Sequence, residues 1–484
     1  MYCTRHIRTG VSLKSWPFMY IGRLIFGIGE ETFIVVNSAL LAEWFQGKEL
    51  AFAFGLDLSI ARLGSVFNNL ISPVLADRLG IIFAFWFGTV LCGFSVLCVL
   101  FTLPIDKAME VHIAKHCLKD PLESSVYTIV DIHECDHTLT LTSDRDENDI
   151  SNENDISNKP VQSSQNSIDF SWSDLWQLSH IFWVLVVLCV VIYGCIVPFN
   201  NISSSLLLER DYFMTPPDGC HLQNSSLCES SSNPPVNCPS SQWFQPPLPG
   251  NLHIDGTFYS TQLTASNVDC SSDTWSASSA CTYTYCSRLS AAESQASVVM
   301  SIPYIISSAC SPVMGFLIDT FGFRAVISAI APMILIFVHL FLGLTSVSPI
   351  GPLVGQGLAY TGFVAVLWPA VPLVVKPQMV GLAFGIITSM HNLGCAVVPL
   401  VVAAVYSDSD NCYIPNVEWL FASLGVVGFI VGLYMNYYDV RHQSVLNRAS
   451  IPKEEDVNQS RNSSNSRSDE STMRKSLLDE SVIT

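Results

Sequence analysis

The sequence predicts an all-α polytopic membrane protein, and three observations carry that prediction. Nine apolar runs are long enough to cross a bilayer: residues 17–43, 50–75, 81–103, 181–200, 294–318, 325–346, 349–374, 380–405 and 417–437. A spanning helix needs roughly 18–20 such residues. Charged residues make up 13% of the 484-residue chain and hydrophobic ones 49%, where a soluble domain carries roughly 25% charge. Of the net charge of −18, residues 104–180 carry −10 and residues 181–437 carry −8, while the two ends nearly balance. So many spans make a helical bundle, not a membrane-anchored enzyme.

Taken in order, residues 1–16 (MYCTRHIRTGVSLKSW) form an atypical basic segment with no apolar core, which excludes a signal peptide. Residues 17–103 hold three spans. Residues 104–180 are rich in Asp, Glu, Ser and Asn and poor in aromatics, the composition of a solvated linker. Six spans follow in 181–437, several with the Gly and Pro that membrane helices tolerate. Between the first two of these lies an insert at about 215–288, and residues 438–484 form a tail rich in Ser and charges of both signs, expected to be disordered.

Loops bearing Lys48, Arg324 and Lys376 fall on one side with the tail residues Arg441, Arg448 and Arg461. The positive-inside rule makes that side cytoplasmic, which puts the C-terminus in the cytoplasm and, with nine spans, the start of this chain on the luminal side. The insert is then luminal. Its Cys220, Cys228, Cys238, Cys270, Cys281 and Cys286 form an even set suited to an oxidising compartment, with 15 possible pairings. Asn201 and Asn224 head Asn-X-Ser acceptors. Asn224 is the better placed, since Asn201 sits at a span end. The acidic linker and the lack of basic patches argue against nucleic acid. No zinc spacing, phosphate loop or nucleophile motif stands in a fitting context, so no enzyme activity, cofactor or metal is expected.

Two charges of note stand deep inside spans. In GRLIFGIGEETF and LSIARLGS, Glu31 lies sixteen residues before the turn at Gly47 and Arg62 fifteen after it. At 1.5 Å per residue both lie roughly 23 Å from that turn, at nearly equal depth. A lone charge at mid-bilayer costs about 2.5–3.5 kcal/mol on insertion scales, so both should face the interior or water. They are either a buried pair that ties two helices together or two halves of a divided site. Arg62 offers a planar fork for a carboxylate, and Glu31 can accept from an ammonium. Asn69, seven residues after Arg62, shares its helical face. Glu30 points some 100° away from Glu31, towards Arg23 or the interface. His391 belongs to the residue type whose free side chain can titrate near physiological pH, though intramembrane histidines more often satisfy hydrogen bonds. Gly55, Gly64, Gly381, Gly385 and Gly394 are candidates for close helix approach.

The segment GFLIDTFGFR, Gly315 to Arg324, follows the pattern G-x-L-x-D-x-x-G-x-R in a short loop between two spans. Gly315 and Gly322 permit a tight turn, Asp319 can meet a neighbouring helix N-terminus, and Arg324 can bind carbonyls or carboxylates. This resembles the loop signature of major facilitator transporters. A similar string, SPVLADRLG (Ser72 to Gly80), falls in a luminal loop and is taken as a decoy. With GRLIFGIGEET, WFQGKELAFAFGLDLSIARLGS, LWPAVPLVV and MHNLG, the chain is very similar to the family of major facilitator superfamily domain-containing protein 1 over residues 20–437, the insert apart.

The resemblance implies a major facilitator fold, with the nine spans equivalent to helices 4–12 of twelve. It implies a lysosomal membrane uniporter of dipeptides or similar small zwitterions, working by facilitated diffusion as two halves rock about a central site. Glu31 and Arg62 match the acid and arginine that contact the peptide ends, and Arg23, Gly27 and Gly29 match a fourth-helix signature. Tyr193, Phe199, Tyr304, Trp368 and Asn392 would line the cavity. It also implies a glycosylated lysosomal accessory membrane protein as partner. Other readings are a truncated, non-transporting isoform or regulator, and a facilitator of another small organic anion using Arg62 alone. Sorting signals are weak: YTIV at Tyr127, and Leu477–Leu478 with Met473 where an acid is wanted.

Overall fold

The computed structural model describes residues 16–45, 49–119, 172–220, 237–239, 242–249, 252–254, 257–259, 263–270, 272–278, 280–442 and 444–449. The expectations at Tyr127, Asn224, Cys228, Arg461 and Met473–Leu478 lie outside them. Among the described residues nine helices or helix pairs are long and apolar enough to cross a membrane.

The elements are α1 (Trp16–Phe45), α2 (Leu50–Leu79), α3 (Ile81–Lys119), α4 (His180–Leu207), α5 (Tyr283–Met300), α6 (Ile302–Phe321), α7 (Arg324–Leu344), α8 (Ile350–Val374), α9 (Val380–Asp408) and α10 (Asn416–Arg441). Three boundaries differ from expectation, each for a local reason. Helix α3 runs past Pro104 to Lys119, because the helix formers Ala, Met, Glu and Lys that follow sustain it into the segment read as linker. Helix α4 does not stop at 200. Its polar stretch stays helical because Leu206 and Leu207 beyond it are fully buried in the core, and a π-turn, Leu208–Tyr212, continues it. Helix α5 begins at Tyr283, inside the expected insert, and breaks from α6 at Ser301, just before Pro303. The bundle is all-α, with one small exception in the insert: β1 (Leu252–Ile254) pairs antiparallel with β2 (Thr257–Tyr259).

Packing divides the bundle. Helices α7 and α10, α4 and α9, α4 and α10, and α8 with α6 and α7 make the main core contacts, while α2 lies along α6. The core is aromatic and aliphatic: Phe182, Leu185, Ile192, Phe199, Phe363, Phe384 and Phe421 are fully buried. Helix α3 touches chiefly α2, and its apolar side chains, like most of α1's, are exposed, the pattern of surfaces that face lipid.

The α2–α6 seam is built from small residues. A side chain at Gly315 would stand 2.7 Å from the Ala51 carbonyl carbon and from Phe52 Cα, and one at Gly55 would meet the Ser311 backbone. Further along, Ser59 and Ser308 each donate a hydroxyl to the other's carbonyl, at 2.6 and 3.1 Å. This close approach is possible only because the facing residues carry almost no side chain. Gly394 does the same against Val190, whereas Gly27, Gly29, Gly64, Gly381 and Gly385 have no atom within 4 Å of a notional side chain. At those five positions the structure brings no helix close.

Candidate functional site

The Gly315–Arg324 turn closes one face of the bundle. Asp319 is fully buried; one oxygen accepts from the Phe52 N–H at 2.8 Å, in the first turn of α2. Those first N–H groups have no partner within the helix, so a carboxylate there satisfies a donor and complements the helix dipole. The other oxygen pairs with Arg324 at 3.2 Å, and Arg324 donates to the Arg448 carbonyl at 3.0 Å. Gly322 has φ +77°, and a side chain there would strike the Asn447–Arg448 backbone. The turn thus ties α2, α6, α7 and the segment after α10 together.

In the middle of the bundle, Arg62 of α2 reaches across to the C-terminal half. Its Nη2 donates to the Tyr360 hydroxyl, and the guanidinium lies 4.5 Å from the Tyr360 ring centroid and 5.7 Å from that of Tyr304. Such placements stabilise a cation away from water. Its Nε is enclosed without a partner. Glu31 of α1 is half-buried, and its Oε2 is enclosed with no hydrogen-bond partner among the described residues. Among the described residues no ion pair joins Glu31 to Arg62. An enclosed charge left without a partner costs more than the about 1–3 kcal/mol of a neutral one.

The opposing wall comes from α4, α6, α8 and α9. Tyr193 packs edge-on against Tyr360 at 6.0 Å and its ring centroid is 4.1 Å from that of His391. The Trp368 indole N–H donates to the Tyr193 hydroxyl at 3.0 Å. Tyr304 bonds Asn200, whose oxygen accepts from buried Gln356 at 3.1 Å. His391 lies within electrostatic range of Arg62, and Cys395 within that of Glu31. His391 Nε2 and Thr388 Oγ1 are enclosed and unpaired.

Of the residues singled out from sequence, Arg62, Tyr193, Tyr304 and Trp368 come together, while Glu31 on α1 is in electrostatic range of Cys395 on α9. Asn69 and Asn392 are half-buried and make no side-chain hydrogen bond to a described residue, and it is Asn68 that accepts from Ser72. Phe199 does not face this region. It packs on His339 and Phe421, because α4 turns that residue into the C-terminal core. Arg23 and Glu30 are exposed on α1. Asn201 falls inside α4 instead of beyond its end, since that helix continues. In the insert, Cys220 pairs with Cys238 and Cys270 with Cys286, and Cys281 is also disulfide-bonded.

Sequence reasoning missed two polar clusters. His339 Nδ1 meets Glu418 at 2.7 Å and its Nε2 meets Cys195 at 3.3 Å, all fully buried among α4, α7 and α10. At the insert end, Arg210 donates to the Leu342, Thr345 and Val347 carbonyls and pairs with Asp211, while Glu209 accepts from the Tyr413 and Ile414 N–H groups. The run LERDY at a helix end was the available signal.

A polytopic helical bundle with a charged, aromatic-lined centre and this interhelical turn defines a membrane transporter, not an enzyme. The chain belongs to the Major Facilitator Superfamily, whose family model matches residues 9–212 and 268–475 and leaves most of the insert unmatched. It is similar to the lysosomal dipeptide transporter MFSD1 of Gallus gallus, 23% identical over 438 residues, covering 88% of this chain and 71% of that protein. The Danio rerio protein of the same name is 24% identical over 408 residues, covering 82% and 61%. The Homo sapiens one is 22% identical over 436 residues, covering 88% and 67%. The chain thus spans about two thirds of the length of these relatives.

Proposed function

We propose that this protein carries dipeptides from the lysosomal lumen to the cytosol by facilitated diffusion, with its C-terminus cytosolic. The observation that carries the proposal is that Glu31 and Arg62, opposite in charge and both partly enclosed, do not neutralise one another. A free dipeptide supplies what each lacks: a carboxylate for the Arg62 fork and an ammonium for Glu31. Recognition through the ends leaves the peptide's side chains unread, which permits broad selectivity. The α2–α6 seam closes the face bearing the Gly315–Arg324 turn, so this conformation is one end of an alternating cycle that rocks the halves apart there. Likeness to the MFSD1 proteins supports the substrate class and the compartment.

The test is flux in proteoliposomes. Labelled dipeptide should enter in a protein-dependent, saturable manner. Arg62→Ala and Glu31→Gln should each lower flux at least tenfold, and amidating or acetylating the peptide ends should remove competition. Flux intact in both variants, or capped peptides competing as well as free ones, would overturn the assignment.

A further inference from the structure

A dipeptide has a third polar feature, the amide between its ends, and the structure offers a group placed to read it. Buried polar atoms in folded proteins are nearly always hydrogen-bonded. His391 is an exception: Nε2 is enclosed with no partner, and the imidazole makes no hydrogen bond to any described residue. A histidine that merely fills the core, such as His339, shows the opposite pattern, with both ring nitrogens engaged by Glu418 and Cys195.

Placement adds a second, independent reason. Thr388, His391 and Cys395 fall at i−3, i and i+4, one face of α9. Along that face, Cys395 lies in electrostatic range of Glu31 and His391 in range of Arg62. The face therefore runs past both charged groups. The ring is also held: Tyr193 stands 4.1 Å away, centroid to centroid, and its own hydroxyl is fixed by the Trp368 indole. A pre-positioned imidazole loses little freedom on binding, which is what a specificity contact requires.

We propose that His391 Nε2–H donates to the substrate's peptide carbonyl, so that this residue selects an amide-linked pair of residues over a single amino acid. A neutral imidazole presents one N–H donor, and an amino acid, lacking the amide, would leave it buried and unpaired. Discrimination by a group that would otherwise go unpaired is the strong kind. The inference rests on Glu31 and Arg62 holding the two ends.

The experiment compares three substrates of equal length in proteoliposomes containing the full chain: Ala-Ala, its ketomethylene isostere, which keeps the carbonyl and loses the N–H, and its alkene isostere, which loses both. The wild-type protein is expected to carry the first two within about threefold of each other and the third at least tenfold more slowly. His391→Ala should slow the first two to the rate of the third and leave the third unchanged, whereas His391→Gln, which retains a donor, should recover part of the difference. A His391→Ala protein that still separates carbonyl from alkene as the wild type does overturns the proposal, as does a wild type that carries all three alike. End-capped Ala-Ala, run in parallel, separates the two assignments. If capping abolishes flux while His391→Ala leaves the carbonyl preference untouched, the His391 role falls alone. If capping has no effect, it is the end-reading assignment that falls.

Discussion

Gly315→Ala should open the closed face. A methyl there would stand 2.7 Å from Phe52 Cα and from the Ala51 carbonyl carbon, where carbon atoms rest at about 3.5–4.0 Å. The atoms met are backbone and cannot rotate away, so α6 must withdraw from α2 by roughly 1 Å. The Phe52 N–H to Asp319 bond, now 2.8 Å, would stretch past the roughly 3.2 Å at which such bonds fade. Losing a hydrogen bond to a charged group costs about 1.5–3 kcal/mol, and disturbing the Ser59–Ser308 pair adds about 1 kcal/mol. At tenfold per 1.4 kcal/mol, a loss of about 2.5–4 kcal/mol shifts the closed–open balance roughly 60- to 700-fold. Hydrogen–deuterium exchange of purified protein should register this as faster exchange in peptides covering 49–58 and 316–323. Gly64→Ala, where no atom lies within 4 Å, serves as the control and should change neither. Exchange in Gly315→Ala within threefold of wild type, in a folded protein, would refute the idea that this seam holds the face shut.

Other expected outcomes rest on other clusters. His339→Leu leaves Glu418 buried without its partner, a loss of about 3–5 kcal/mol, and should lower Tm in a thermal-shift assay by at least about 6 °C. Arg210→Lys replaces a fork that reaches three carbonyls with a single ammonium; about two lost bonds, or 1–3 kcal/mol, should appear as faster amide exchange in residues 343–350. Cys220→Ser removes a cross-link between residues 18 apart, worth about 3 kcal/mol to the insert. Limited proteolysis should then nick residues 215–250 sooner, while the Tm of the bundle, whose core lies in other helices, stays within about 2 °C.

The spans were legible because a bilayer asks the same thing of every helix, about twenty apolar residues with all backbone groups paired internally. That demand is local, and periodicity and composition record it. The ends were less legible: α3 overran its expected limit through a run of helix formers, and α4 because Leu206 and Leu207 are buried past its polar stretch. The Gly315–Arg324 turn was readable down to the role of Asp319, since its spacing encodes a tight turn and a single cap. Counting residues to the hairpin gave Glu31 and Arg62 nearly equal expected depths.

What counting could not settle was whom these groups meet. Arg62 and Tyr360 are 298 residues apart in the chain, Asn200 and Gln356 156, and His339 and Glu418 79. No local pattern links such positions, because their contact exists only once the helices are packed. The sequence by itself therefore determined a helical membrane bundle, its turn signature and the presence of costly charges within it. Only the tertiary structure decided that, among the described residues, no ion pair joins the acid to the guanidinium, that tyrosines flank the latter, and that His391 Nε2 is left without a partner, since the bilayer sets depth but the packing of distant helices sets neighbours.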